Sequence, residues 1–188
     1  MKLTLTKRTS ATKSAIKTIR REGNIPAVIY GLGQAVEKIT IKGEEFRAIL
    51  RNLPQGQLAT TVFELHLGGK ASKAIIKDIQ YNVASYDVEH IDFVLLSNDK
   101  NVTINVPIQV VGIAECPGIK LGGTLRQVIR TLKVTCLPKD IPSEFQVDIR
   151  DLNITQSKRL SDIAISEKVR PLALMSEVAV VIAKGKVA

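Results

Sequence analysis

The first 21 residues carry Lys2, Lys7, Arg8, Lys13, Lys17, Arg20 and Arg21 and no acid. Their local balance of +7 is most of the net +9 of the chain, so everything from Glu22 onward sums to about +2. A run of charge is commonly a solvated face. Solvated helices, however, usually mix signs at i, i+4, whereas this segment would repel itself unless a polyanion lay against it. A second candidate is His90-Ile91-Asp92. On a strand the two polar side chains share one face, with Cβ atoms roughly 6 to 7 Å apart at a rise of about 3.3 Å per residue. That spacing suits binding more readily than a catalytic dyad, and a lone pair of this kind is commonly just a polar strand face. Tyr30 admits two readings: a core tyrosine with its hydroxyl satisfied, or a hydroxyl that reaches a ligand.

The elements that must position these groups follow from periodicity. Leu3 and Leu5 alternate with polar residues, as in a half-buried strand. Over residues 10–21, Lys13, Lys17, Arg20 and Arg21 fall at i, i+4, i+7 and i+8, which gathers four cations on one side of a helix. Gly23, Asn24 and Pro26 end it. Strands are expected over 27–30 and around Ile39 and Ile41, with Gly31-Leu32-Gly33 turning between them. Residues 44–53 predict a helix, because Phe46, Ile49, Leu50 and Leu53 repeat at i, i+3, i+4 and i+7 and Pro54 stops it. Strands follow over 62–67, 73–79 and 88–95. The polar stretch 97–101 suggests a boundary between domains of residues 1–96 and 97–188. Beyond it, Val102, Ile104, Val106, Ile108 and Val110 hold period two. Thr124 with Gln127 resembles a capping box, and Leu125, Val128, Ile129 and Leu132 then predict a short helix. Strands over 134–136, 145–149 and 178–182 complete a mainly β second half.

Composition narrows the function. With 188 residues, 45% apolar and 24% charged, the chain can build a folded core. Its longest apolar run, residues 178–183, is far short of the roughly 18 to 20 residues of a membrane span. The N-terminus has no apolar signal region, although its basic, acid-free character is shared with mitochondrial transit peptides; a cytoplasmic protein is expected. Cys116 and Cys136 lack metal-site spacing, so reduced thiols, no zinc and no cofactor are expected. No G-x-S-x-G or G-x-x-x-x-G-K-[ST] occurs, and Val36 takes the third glycine position of a G-x-G-x-x-G. No enzyme and no small-molecule substrate are expected. Aromatics are only 4% of the chain, without Trp, and Phe46, Phe63 and Phe93 sit on apolar faces. Too few rings remain for a single-strand stacking platform, which favours a duplex such as A-form RNA.

The segment Arg20-Arg21-Glu22-Gly23-Asn24-Ile25-Pro26-Ala27-Val28-Ile29-Tyr30-Gly31, with Asp78-Ile79-Gln80 and His90-Ile91-Asp92-Phe93, resembles a bacterial family of large-subunit ribosomal proteins. That family binds 5S rRNA and is numbered twenty-five in the standard naming. The second half is similar to the C-terminal domain of the longer general-stress (CTC) form, through Val106-Pro107, Glu115-Cys116-Pro117-Gly118-Ile119-Lys120, Gly122-Gly123 and Leu125. The resemblance implies a six-stranded antiparallel β-barrel with short helices, like the anticodon-binding domain of glutaminyl-tRNA synthetase, followed by a mainly β domain. It also implies binding to the loop E region of 5S rRNA in the central protuberance, among large-subunit proteins and rRNA. RNA contacts would fall on Arg8, Lys13, Lys17, Arg20, Tyr30, Lys77, His90 and Asp92; charge and the matched motif add Arg21 and Gln80. In this setting Asp92 would accept from a base amino group or a 2′-hydroxyl, and His90 would donate to RNA or orient a neighbour. Two departures stand out: Thr12-Lys13-Ser14 where the family usually has Gly-Lys-Gly, and Thr18 where it has a basic residue. A stress-response RNA-binding factor acting away from the ribosome is the alternative these residues allow.

Overall fold

The computed structural model describes residues 1–9, 12–54 and 56–185. The chain forms two compact units that divide between Lys100 and Asn101. The first contains β1 (Lys2–Lys7), α1 (Lys13–Arg21), β2 (Ile25–Gly31), β3 (Gln34–Ile41), α2 (Gly43–Asn52), β4 (Val62–Leu67), β5 (Lys70–Tyr81) and β6 (Val88–Leu95). Ser10, the expected start of the basic helix, lies outside the described residues.

The six strands close into a barrel in the order β1-β3-β2-β6-β5-β4. Alternation decides what goes inside. Leu3, Leu5, Ala27, Ile29, Ile39, Ile41, Phe63, Leu65, Ile91 and Phe93 all point into one buried cluster, joined by Phe46 from α2. The expected barrel is therefore present, but it is not wholly antiparallel: β1 pairs with β4, and β2 with β6, in parallel. Geometry requires this. Four strands run one way and only β3 and β5 the other, so a closed ring of six must contain two like-directed neighbours. The imbalance arises because α1 carries the chain from the end of β1 back to the start of β2, which therefore runs the same way as β1.

Two irregularities in the β5·β6 ladder shape the outer surface. The register shifts between Ile76 and Asp78, leaving Lys77 as an extra residue, and again between Gln80 and Tyr81, leaving Glu89 as the extra residue on β6. Before the first bulge Ala74 and Ile76 face the core; after it Ile79 does, and Asp78 and Gln80 turn outward.

Helix α2 begins against the loop after α1. A Cβ on Gly43 would fall on the carbonyl oxygen of Gly23. Gly43→Ala is therefore expected to destabilise this unit by about 1 to 3 kcal/mol, the usual cost of overpacking. The check is a lower urea midpoint for loss of the barrel signal; an unchanged midpoint would show that the loop moves aside freely.

The second unit contains β7 (Val102–Val111), α3 (Pro117–Lys120), β8 (Thr124–Gln127), β9 (Thr131–Cys136), β10 (Phe145–Asp148), β11 (Ser157–Arg159), β12 (Arg170–Pro171) and β13 (Val178–Ala183). They form a four-stranded sheet, β10-β7-β9-β12, and a three-stranded sheet, β11-β13-β8. The helix expected over 124–132 is absent. Residues Thr124–Gln127 instead pair antiparallel with β13, from Thr124↔Ala183 to Gln127↔Val180. Val128 of the supposed apolar stripe is 62% exposed, while Leu132 faces inward with Val134 and Cys136 on β9. Tertiary pairing with the apolar strand Val178–Ala183 overrides a local pattern that fits either period. Cys116 and Cys136 are buried free thiols.

Candidate nucleic-acid interface

Helix α1 lies shallowly on the barrel and contacts β2. None of its residues is buried; Ala15, Ile16 and Ile19 are partly covered, and Lys13, Lys17, Arg20 and Arg21 are exposed. Its first turn has no acid, and Arg20 and Arg21 occupy the last turn, where cations suit the helix dipole. The two family departures have local consequences. Thr12 takes the N-cap position without a side-chain capping bond, and the Thr18 hydroxyl donates to the Ser14 carbonyl at 3.2 Å. Thr18 thus bonds to its own helix where a basic residue would reach outward.

Register assembles the polar face of the barrel. Lys38 on β3 pairs with Val28 on β2, Val28 with Asp92 on β6, and Asp92 with Asp78 on β5. The Arg8 backbone N–H donates to the Lys38 carbonyl at 2.9 Å, which extends this row past the end of β1. One flank of the row is therefore cationic and the other anionic. Gln80 pairs with His90, and Tyr30 lies beside Val94. Four expected contact residues, Tyr30, Gln80, His90 and Asp92, thus share adjoining strands. Lys77 is exposed at the first bulge, and Lys13, Lys17 and Arg21 stand on the helix.

His90 Nδ1 lies 2.8 Å from Asp92 Oδ1. This bond fixes the imidazole, leaves Nε2 as its free edge, and holds the carboxylate with one oxygen for another donor. The hydroxyl of Tyr30 stays protonated: burial raises its pKa above the ordinary phenol value, and the nearby Asp92 and Asp78 carboxylates raise it further. Asp78 and Asp92 face each other across the ladder, an arrangement that costs free energy in the isolated protein and favours a hydrogen-bond donor between them. Arg8 supplies the complementary deficiency. Its Nε and Nη1 are buried without a hydrogen-bond partner among the described residues, a situation that an acceptor from a ligand would relieve.

Arg20 is placed differently from the other cations. Its Nε and Nη2 donate to the Glu89 carbonyl at 3.2 and 3.0 Å, and Nη1 is 3.8 Å from Glu89 Oε2. Beside it opens a cleft of about 340 Å³ lined in part by Arg47, Tyr81 and Tyr86. Tyr81 and Tyr86 are 49% and 79% exposed. The sequence reading counts too few exposed rings for a stacking platform without placing these two; their signal is their place in the segment 81–87, outside any apolar periodicity.

An acid-poor cationic helix beside a strand face of donors and acceptors defines a polyanion-binding protein of structural type. Among the described residues, no three His, Cys, Asp or Glu side chains are grouped to hold a metal ion, and no helix is long and apolar enough to cross a membrane. Comparison with known proteins makes the class specific. Residues 3–93 match the model of the ribosomal L25p family, and residues 101–186 that of the C-terminal domain of ribosomal protein TL5. The chain is 45% identical over 184 residues to the large ribosomal subunit protein bL25 of Chlamydia trachomatis serovar L2, covering 98% of this chain and 100% of that one. It is 44% identical to bL25 of Chlamydia muridarum and 42% identical to that of Chlamydia pneumoniae, with the same coverage. The chain belongs to the bL25 family of large ribosomal subunit proteins. It is accordingly a structural, non-enzymatic ribosomal component of the cytoplasm.

Proposed function

We propose that the first unit binds 5S rRNA at its loop E region and so serves as part of the central protuberance, among large-subunit proteins and rRNA. The observation that carries this reading is the hydrogen-bonded His90–Asp92 pair, set with Tyr30 and Gln80 on a face flanked by Arg8. Lysine and arginine contacts supply salt-dependent affinity, while the carboxylate and imidazole can read base edges and 2′-hydroxyls. Lys13, Lys17 and Arg21 on α1 and Lys77 at the bulge are the phosphate contacts of this proposal, with Arg8 offering two donors that have no partner among the described residues. Arg20 borders the same surface.

A protection map of 5S rRNA with and without the purified protein tests the reading. Protection confined to loop E supports it, and protection elsewhere or none rejects it. Arg21→Ala is expected to reduce the slope of log affinity against log salt by roughly 0.7 to 0.9, the share of one phosphate contact. A filter-binding titration with an unaltered slope would remove Arg21 from the interface.

A further inference from the structure

We infer that Arg20 and Glu89 form a positioning clamp that seats helix α1 on the RNA-binding face, and that Glu89, an acid, strengthens RNA binding. The inference rests on the RNA reading above for its affinity arm. Glu89 is the extra residue of the second bulge, because Gln80 pairs with His90 and Tyr81 with Val88. A bulged residue is left out of the ladder, so its carbonyl needs another donor. Arg20 fills that vacancy with Nε and Nη2, at 3.2 and 3.0 Å. The side chain of Glu89 completes the clamp. Oε1 accepts from Asn82 Nδ2 at 2.8 Å, and Oε2 faces Arg20 Nη1 at 3.8 Å. Asn82 is itself held, since its Oδ1 accepts the backbone N–H groups of Ala84 and Ser85 at 2.9 and 3.1 Å.

The consequence follows from chain order. Arg20 is in the last turn of α1, and Glu89 immediately precedes His90. One guanidinium therefore fixes the helix that carries Lys13, Lys17 and Arg21 to the strand that carries His90 and Asp92. Because α1 buries none of its own residues, packing alone holds it weakly, and a directional anchor matters correspondingly. Arg20 is then a positioning residue, whose donors are directed at the protein more than at a phosphate. A planar fork of donors suits this task in a way that an ammonium does not.

The sign of one substitution separates this role from simple electrostatics. Removing a solvated carboxylate near a polyanion should tighten binding. Glu89→Gln, which keeps an acceptor for Asn82 but loses the charge facing Arg20, is instead expected to weaken 5S rRNA binding about 3- to 10-fold with an unchanged salt slope. Arg20→Gln is expected to weaken binding by at least as much, again without a change in slope, and the double variant to lose less than the product of the single losses. Tighter or unaltered binding by Glu89→Gln, or a slope reduced by about one phosphate contact in Arg20→Gln, overturns the clamp. Amide hydrogen exchange in the free protein reads the same contact without RNA. The amides of Glu22, Gly23 and Asn24, which close α1 onto Thr18, Arg20 and Ile19, should exchange faster in Arg20→Gln, which removes both bonds to the Glu89 carbonyl. Equal exchange overturns the clamp even if the RNA reading holds. Faster exchange in a protein that fails to bind 5S rRNA supports the clamp and rejects that reading instead.

Discussion

Asp92→Ala is expected to lower the preference for 5S rRNA over a plain RNA duplex by about 10- to 100-fold, the ~1 to 3 kcal/mol of discrimination carried by a good base-edge contact. The basis is geometric. Asp92 is held at 2.8 Å by His90 and faces Asp78 across the ladder, so the face presents carboxylate acceptors to an incoming polyanion. Phosphate oxygens are repelled there, whereas amino groups and 2′-hydroxyls are not. Plain-duplex affinity should therefore fall little or rise slightly in the variant, because one repulsive charge is gone. Competition titrations with both RNAs at one salt concentration measure the ratio. Equal losses on both RNAs would reduce Asp92 to a residue that only shapes the strand. Asp92→Asn, which keeps an acceptor oxygen, should retain part of the preference.

Phe93→Ala should cost about 3 to 5 kcal/mol, the usual range for emptying a buried phenylalanine site. Phe93 is fully buried and meets Phe63 edge-to-face, with ring centroids 6.0 Å apart at 82°. It also sits on β6 between Ile29 of β2 and Ile76 of β5 in register, so the cavity would open beneath the strand that carries His90 and Asp92. Hydrogen exchange of the β6 amides reports this unit without averaging over the second one, whose separate core would make a whole-chain melt hard to interpret. A loss under about 1 kcal/mol would mean that the barrel collapses around the missing ring. RNA affinity should fall with stability, because His90 and Asp92 share the loosened strand.

Strands whose alternation continues to a clear boundary were legible in the sequence. Val62–Leu67 and Val88–Leu95 fall where period two predicts them, and the glycines at 31 and 33 mark the turn between β2 and β3. The helix Gly43–Asn52 was equally readable, because Phe46, Ile49 and Leu50 form one apolar stripe and Pro54 follows it. What failed was non-local. The segment 124–132 satisfies a capping box and a helical stripe, and only its pairing with Val178–Ala183 makes residues Thr124–Gln127 a strand. Strand direction was likewise invisible locally, since the two parallel ladders follow from which ends of the chain meet. At the interface, residue types identified the cations and the polar strand. They could not show that Arg20 turns back onto the Glu89 carbonyl, because the bulge that frees that carbonyl exists only in the paired ladder.

The bulge at Lys77 makes the length of β5 as informative as its composition. Ala74 and Ile76 point inward at even positions, and Asp78 and Gln80 can point outward at even positions only because one extra residue intervenes. Removing that single residue would make the ladder regular, with Ile76 and Ile79 still inward and Asp78 and Gln80 still outward, so the bulge adds one side chain to the outer surface without changing the facing of its neighbours. Deletion of Lys77 should accordingly leave the barrel folded and its polar face in place, at the loss of one outward cation.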